Sequence, residues 1–309
     1  MRKLTVLFLW IVLVLPAQAQ ETRVSTGLSY LRIGTNASAS AMGDAQVASS
    51  HDAFSTYWNP AGLAAATTNS VAASHRIWVL DTRMYDLAAR FQAGEKGGIG
   101  LFVTAADNGD FEEREQPTPE PDGFFGAQFL SVGASYGRSF GPVRAGVTAK
   151  FLSERIFESS SNGYAFDAGV QAGLLDEKIR LGAAVQNIGK MSELANVATP
   201  LPRTVRGGLS LSPLSILAEE DASSVLDLSV AAEVSHLLEE ERTQLHLGVS
   251  AEVVEMVRVR AGYITNDSLR DLTFGGGLHV STFVFDYAFL PFEDGFGGPG
   301  HVLTLLYNW

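Results

Sequence analysis

The sequence predicts an all-β fold, a transmembrane antiparallel β-barrel of about 14 strands with an N-terminal plug in its lumen. Three observations predict it. A secretory leader opens the chain, and no later apolar run reaches the roughly 20 residues a helical span needs. From about residue 69 to Trp309 the chain is a train of period-two segments. The last of these segments ends the chain on an aromatic residue.

The leader comes first. Arg2 and Lys3 form a charged start, Leu4 to Leu15 an apolar core, and Ala17-Gln18-Ala19 a small-residue cleavage site. Residues 1–19 therefore read as a cleaved signal peptide, 20–68 as the plug and 69–309 as the barrel. The expected destination is the outer membrane of a Gram-negative bacterium, with outer-membrane lipid around the wall. A net charge of −12 argues against binding nucleic-acid phosphates. With no cysteine, neither a disulfide framework nor a thiolate metal site is on offer. No cofactor and no metal are expected.

The alternation separates a membrane barrel from a soluble sandwich. In Tyr164 to Leu174 the even positions are apolar and the odd ones mostly small or polar. Leu226, Leu228, Val230, Ala232 and Val234 repeat the pattern against Asp227, Ser229, Ala231, Glu233 and Ser235. Leu245, Leu247, Val249 and Ala251 repeat it once more. Successive strand side chains point to opposite faces, so each segment has one oily and one wet face. The segments run roughly 9–12 residues, the length of a tilted spanning strand, whereas soluble strands average about 5–6. Charges at mid-strand on the wet face suit a lumen.

In order, strands are expected near 69–77, 82–92, 97–105, 126–137, 143–154, 163–174, 178–188, 203–212, 224–235, 243–253, 256–265, 271–281, 282–290 and 301–309. An even number suits a single-chain bacterial barrel. If the first strand rises from the periplasm, the short turns, such as Gly94 to Gly97 and Asp176 to Lys178, lie on the periplasmic side. The longer loops, 106–125 and 189–202, lie opposite. The turn near 213–223 is long for its side, and a barrel of about 12 strands is the alternative if it hides a miscounted pair.

The closing segment puts Leu303, Leu305, Tyr307 and Trp309 on one face. Tyr307 and Trp309 resemble the C-terminal signal that the barrel-assembly machinery reads in outer-membrane proteins. Tyr85, Phe91, Tyr136, Phe151, Tyr263, Phe283, Phe285 and Tyr287 are candidates for interfacial girdles.

On the wet face, the acidic candidates are Asp86, Glu154, Asp167, Asp227, Glu233, Glu252 and Asp286. The basic ones are Arg90, Lys150, Arg180, Arg206, Arg258 and Arg260. So nearly balanced a set can pair across strands, whereas an ion-selective pore favours a ring of one sign. Residues 107–125 hold Asp107, Asp110, Glu112, Glu113, Glu115, Glu120 and Asp122 against Arg114 alone. That stretch is either a solvated surface loop or a surface for divalent ions or a basic partner. Pro117, Pro119 and Pro121 keep it irregular.

A barrel this wide cannot fill itself with its own side chains. Residues 20–68 are small and polar and do not alternate, as a plug requires. Met42, Gly43, Asp44, Tyr57 and Trp58 are expected to pack it, and Asn59-Pro60-Ala61 is a turn signal, since Pro restricts φ and Asn can cap backbone groups.

These residues also carry a resemblance. Gly34-Thr35-Asn36-Ala37, Ala41-Met42-Gly43-Asp44-Ala45, Asp52-Ala53-Phe54 and Tyr57-Trp58-Asn59-Pro60-Ala61-Gly62-Leu63 resemble the N-terminal signature of PorV/PorQ-type proteins. Those proteins are relatives of the FadL family of outer-membrane barrels, and Asn59-Pro60-Ala61 matches the motif of the FadL-type hatch. Phe166 to Gly169, Gly182 to Gly189, Pro200 to Leu209, Arg260 to Tyr263 and Asp286 to Phe292 follow in the familiar order. The resemblance implies a 14-stranded barrel with an internal N-terminal hatch.

For function it implies two classes. PorV-like members take part in type IX secretion, handling exported cargo proteins at the outer membrane together with other secretion components. FadL-like members admit hydrophobic small molecules. Under the first reading the loops at 106–125 and 292–300 would contact cargo, with Phe124-Phe125 and Phe289-Leu290-Pro291-Phe292 as apolar anchors. Under the second, Asn59-Pro60-Ala61 would line or gate a passage beside a pocket for a hydrophobic ligand. An enzyme is not expected. There is no G-x-S-x-G nucleophile motif, His51, His75, His236, His246, His279 and His301 lack ligand spacing, and Gly275-Gly276-Gly277 falls within a strand.

Overall fold

The computed structural model describes residues 26–309, apart from 115, 118, 218–225 and 294–297 and the side chains of 81, 110 and 111. The expected signal peptide and the first residues of the expected plug lie outside the described residues, as do parts of the loops at 106–125 and 292–300.

Alternation becomes strand pairing throughout. The strands are β1 (Ser70–Ile77), β2 (Arg83–Gln92), β3 (Gly97–Glu113), β4 (Gly123–Phe140), β5 (Val143–Ile156), β6 (Ser159–Leu174) and β7 (Ile179–Met191). The second half is β8 (Thr204–Leu211), β9 (Leu226–Leu237), β10 (Arg242–Val253), β11 (Val257–Ile264), β12 (Leu272–Val280), β13 (Phe283–Leu290) and β14 (Gly300–Asn308). Each pairs antiparallel with its sequence neighbours, and β1 pairs with β14 from Ser70↔Asn308 to Ile77↔His301, so the 14-stranded sheet is a closed barrel. The twelve-strand alternative is excluded.

The faces are those of a protein turned inside out. Leu87 on β2 is 55% exposed, while Arg90 on the same strand is fully buried. Exposed strand positions carry large apolar side chains all round the barrel, Leu101, Val132, Val147, Val170, Val249 and Leu305 among them. The inward positions carry Ser, Thr, Gln and charged residues. Water would reject such an outer surface, and lipid accepts it. No helix among the described residues is long and apolar enough to cross a membrane.

Every expected girdle residue lies on the outward face, Tyr85, Phe91, Tyr136, Phe151, Tyr263, Phe283, Phe285 and Tyr287 alike. At the end of the barrel that holds the C-terminus, Trp309 stacks on Tyr307 at 5.6 Å and meets Phe91 edge-on at 6.3 Å, while Tyr307 packs on Phe283 at 4.9 Å. Such belts sit at the membrane–water boundary.

Two loop expectations are corrected. The acidic stretch is partly strand, because β3 continues to Glu113 and β4 begins at Gly123, pairing across a register shift near Asn108 and Phe111. The expected loop therefore shrinks to the proline-bearing residues between them. The wall is consequently lopsided, since β3 to β6 run 14–18 residues and β11 to β14 only 8–9. The second correction concerns the apolar anchors. Leu290 is fully buried and Phe292 packs edge-on against Trp78 at 4.9 Å, so neither is offered to a partner. Phe124 remains exposed, and Phe125 meets Phe157 at 5.8 Å.

The core lies within the barrel rather than between layers. Residues 26–69 contain a 3-10 turn at Ser29–Arg32, α1 (Ala37–Ala41), α2 (Ser55–Trp58) and a second 3-10 turn at Pro60–Ala64. Leu28, Tyr30 and Leu31 cluster with Met84 and Leu152; Phe54 and Trp58 with Ala72 and Leu306; Ala37 and Ala41 with Trp78, Leu290 and Val302. The segment begins at the loop end, where Gly27 N–H donates to Pro200 O (3.2 Å) and Thr26 to Glu240 (2.7 Å). It finishes at the opposite end, where Asn69 and Trp309 exchange backbone hydrogen bonds. A further short helix, α3 (Pro213–Leu217), occupies the long turn before β9.

Candidate functional site

Tyr57-Trp58-Asn59-Pro60-Ala61 fixes the local fold by simple rules. Pro60 restrains its predecessor, so Asn59 adopts extended backbone (φ −164°, ψ 107°) and α2 stops at Trp58. The Asn59 side chain is fully buried and satisfied on both ends. Nδ2 donates to Val47 O (2.8 Å) and to Val170 O on β6 (3.0 Å), and Oδ1 accepts from Ala61 N–H (3.1 Å). Gly169 makes the approach possible, because a Cβ there would lie 2.0 Å from Asn59 Oδ1.

Trp58 is held as firmly. Its indole N–H donates to Asn36 Oδ1 (2.8 Å), and the Arg206 guanidinium stands 5.1 Å from the ring centre. Beside it, the Tyr57 hydroxyl donates to Leu31 O at 3.2 Å. Arg206 on β8 also donates to Glu233 Oε1 on β9 (2.6 Å), while Glu233 Oε2 accepts from the backbone N–H groups of Gln46 (2.9 Å) and Val47 (2.8 Å). One buried carboxylate thus joins two strands to the segment.

The Met42-Gly43-Asp44 turn faces β9 to β12. Met42 packs beside Ala45 and Ala231. Gly43 has φ 65°, its N–H donates to Thr273 Oγ1 (3.1 Å), and its carbonyl accepts from His246 Nδ1 (2.7 Å). Asp44 Oδ2 accepts from Arg270 Nη2 at 2.5 Å. Burial alone would raise the Asp44 carboxyl. The Arg270 guanidinium, with Arg76 behind it, outweighs burial and holds the carboxyl below the ordinary Asp range.

The remaining expected lumen residues fall into four groups. Some pair within the wall: Lys150 with Asp167 (2.9 Å), Arg260 with Asp286 (2.6 Å) and Asp86 with Thr104 (2.7 Å). Arg90 serves the segment directly, donating to the carbonyls of Leu63 (3.0 Å), Ala66 and Thr68. Glu154 is buried high on β5. Glu252 and Arg258 pair at 2.9 Å at the C-terminal end, where Arg180 and Asp227 stand half-buried.

Other contacts were not singled out from the sequence. Arg76 is fully buried and bonds Gly34 O and Ser40, Gln171 donates to Val47 O and Ser50 O (both 3.1 Å), and Gln186 donates to Tyr57 O. All three lie on the inward parity of expected strands, which was the available signal. Arg270 lies just outside a strand and carried none.

At the loop end the segment leaves a chamber of about 310 Å³. Tyr30, Trp78, Ile264 and Leu269 give it apolar wall, and Arg32, Arg206, Arg242 and Arg270 face it. No group of His, Cys, Asp and Glu side chains that could hold a metal occurs among the described residues.

The family model described as type IX secretion system protein PorV matches residues 16–81. That match covers the segment just described and β1. Among solved structures, the CymD monoaromatic hydrocarbon channel aligns with 92% of this chain and 98% of its own at a TM-score of 0.63, with 13% identity. The Ralstonia pickettii toluene transporter TbuX gives 0.59 over 89% and 97%, also at 13% identity. The P. putida toluene transporter TodX gives 0.59 over 89% and 99% at 10% identity. Likenesses at such identities show the fold. No curated protein matches. The N-terminal match and the shared fold together support a PorV/FadL-like β-barrel.

Proposed function

We propose that the chain is a sealed outer-membrane barrel of PorV type that works in type IX protein secretion, holding exported cargo at its loop end. One observation carries this reading. The stretch that matches the PorV model contacts inward side chains from β1, β2, β8, β9, β10 and β12 and the β6 backbone, which supports a lumen occupied by the protein's own chain. A barrel so filled offers a partner its loop end rather than a passage. In this reading residues 1–19 are the cleaved leader and 20–68 the plug. Tyr307 and Trp309 are read by the assembly machinery, and lipid covers the outward face.

Crosslinking of a tagged copy in intact cells, followed by mass spectrometry, tests it. Recovery of secreted proteins through their C-terminal domains, or of other secretion components, is the expected result. Recovery of neither, with only small apolar compounds retained by the purified barrel, would replace it with the second reading, uptake of hydrophobic molecules. The partly apolar chamber at the loop end favours that second reading.

A further inference from the structure

We propose that the loop-end chamber is a binding site for a compact organic carboxylate, one with a short apolar or aromatic body. The site does not depend on whether the barrel serves secretion or uptake.

Donors without acceptors point to the headgroup. Arg270 is 3% exposed, yet its Nη1 and Nε make no hydrogen bond among the described residues. Nη2 is held by Asp44, and Nε lies 3.7 Å from Asp267, beyond hydrogen-bond reach. Across the chamber, Arg32 takes both oxygens of Glu240 (2.6 and 2.7 Å), leaving Arg242 a weaker contact with the same carboxylate at 3.3 Å. Arg242 Nε is buried without a hydrogen-bond partner among the described residues. Buried guanidinium donors left unmade are costly, and a carboxylate is the planar acceptor their fork geometry fits.

The charge facing the space has the same sign. Four guanidiniums line it against two carboxylates: Asp44, whose Oδ2 holds Arg270 while Oδ1 has no hydrogen-bond partner among the described residues, and Asp267, 3.7 Å from Arg270. Glu233 and Glu240, which pair with the other arginines, stand behind the lining. The Trp78 ring already carries the Arg270 guanidinium 5.0 Å from its centre, so the body of the ligand would rest on Tyr30, Ile264 and Leu269. A volume of 310 Å³ is at the small end for ligand sites and limits the body to a short chain or single ring.

Calorimetry on the purified full-length barrel in nanodiscs tests this with 4-phenylbutyrate and its neutral analogue 4-phenylbutan-1-ol. The acid should bind saturably at one site, about tenfold or more tightly than the alcohol. Arg242→Gln should abolish that preference, and Leu269→Trp, which fills the chamber, should abolish binding of both. Retained heat-modifiable mobility on gels would show that each variant still folds. Equal binding of acid and alcohol, no binding of either, or an unchanged preference in Arg242→Gln would overturn the proposal. Because no secretion partner enters the assay, its failure leaves the secretion reading untouched.

Discussion

Glu233 accepts the backbone N–H of Val47 at 2.8 Å while its other oxygen holds Arg206 at 2.6 Å. The carboxylate is therefore both a strand-to-strand ion pair and a clamp on the N-terminal segment. Replacing it with Ala strands Arg206 as an unpaired buried cation, a change that costs about 3–5 kcal/mol. Glu233→Gln keeps an acceptor for the segment and should cost less. The thermal midpoint for loss of the folded band on gels should fall for both, and further for Ala. Equal midpoints in Ala and parent would show that the clamp carries no stability.

Asn59 makes a different kind of joint, since its amide must donate and accept at once. Asn59→Asp keeps the acceptor for Ala61 N–H but turns a carboxylate oxygen toward the carbonyls of Val47 and Val170. Asn59→Ala leaves those groups buried and unserved, at about 1–3 kcal/mol for each unsatisfied group. Protease should cut the segment faster in both variants, while the strands stay protected. Unchanged cutting would mean that the turn is held by packing alone.

The Asp44–Arg270 contact gives the seat of the segment a pH dependence. Asp44 titrates below its unfolded value of about 3.9, so its contribution is fully present above that value. It is lost as the pH falls through the lowered native value. Acidification below about pH 4 should loosen the 42–44 turn in the parent protein, and Asp44→Asn should remove that part of the response. Hydrogen exchange at Gly43 N–H reports it, and identical acid profiles for parent and Asp44→Asn would refute the assignment.

Trp309 joins two roles that substitutions can separate. Its backbone closes the seam with Asn69, and its ring stacks on Tyr307 at 5.6 Å. Trp309→Phe keeps an outward aromatic and should assemble nearly as well as the parent. Trp309→Ser should leave more unassembled chain in the periplasm, although its backbone bonds are unchanged. Equal assembly of the two would show that the ring is not read.

How much of this was legible follows from where each residue stands. A period of two fixes which side a residue faces, so Arg206, Glu233, Lys150 and Asp167 could be assigned inward from alternation alone. Alternation says nothing about which inward groups meet each other and which meet the segment. Arg206 and Glu233 are neighbours on paired strands, and their joint grip on Trp58 and Val47 depends on a fold within the lumen that has no period. Arg270 was invisible because it lies at a strand end. The extension of β3 and β4 was hidden by acidic residues that read as loop, although solvent beyond the membrane tolerates charge on a strand.

Gly262 tests the seal itself. A Cβ at that inward position on β11 would lie 2.0 Å from Gly43 N, so the wall there is shaped to receive the segment's backbone. Valine favours strand conformation and should not disturb the pairing of β11 with its neighbours. It should, however, push the 42–44 turn off the wall and open a water path along β10 to β12. Planar-bilayer recordings should then show conductance in Gly262→Val where the parent is silent, with the barrel still folded on gels. If the folded variant stays as silent as the parent, the segment is not what closes the lumen.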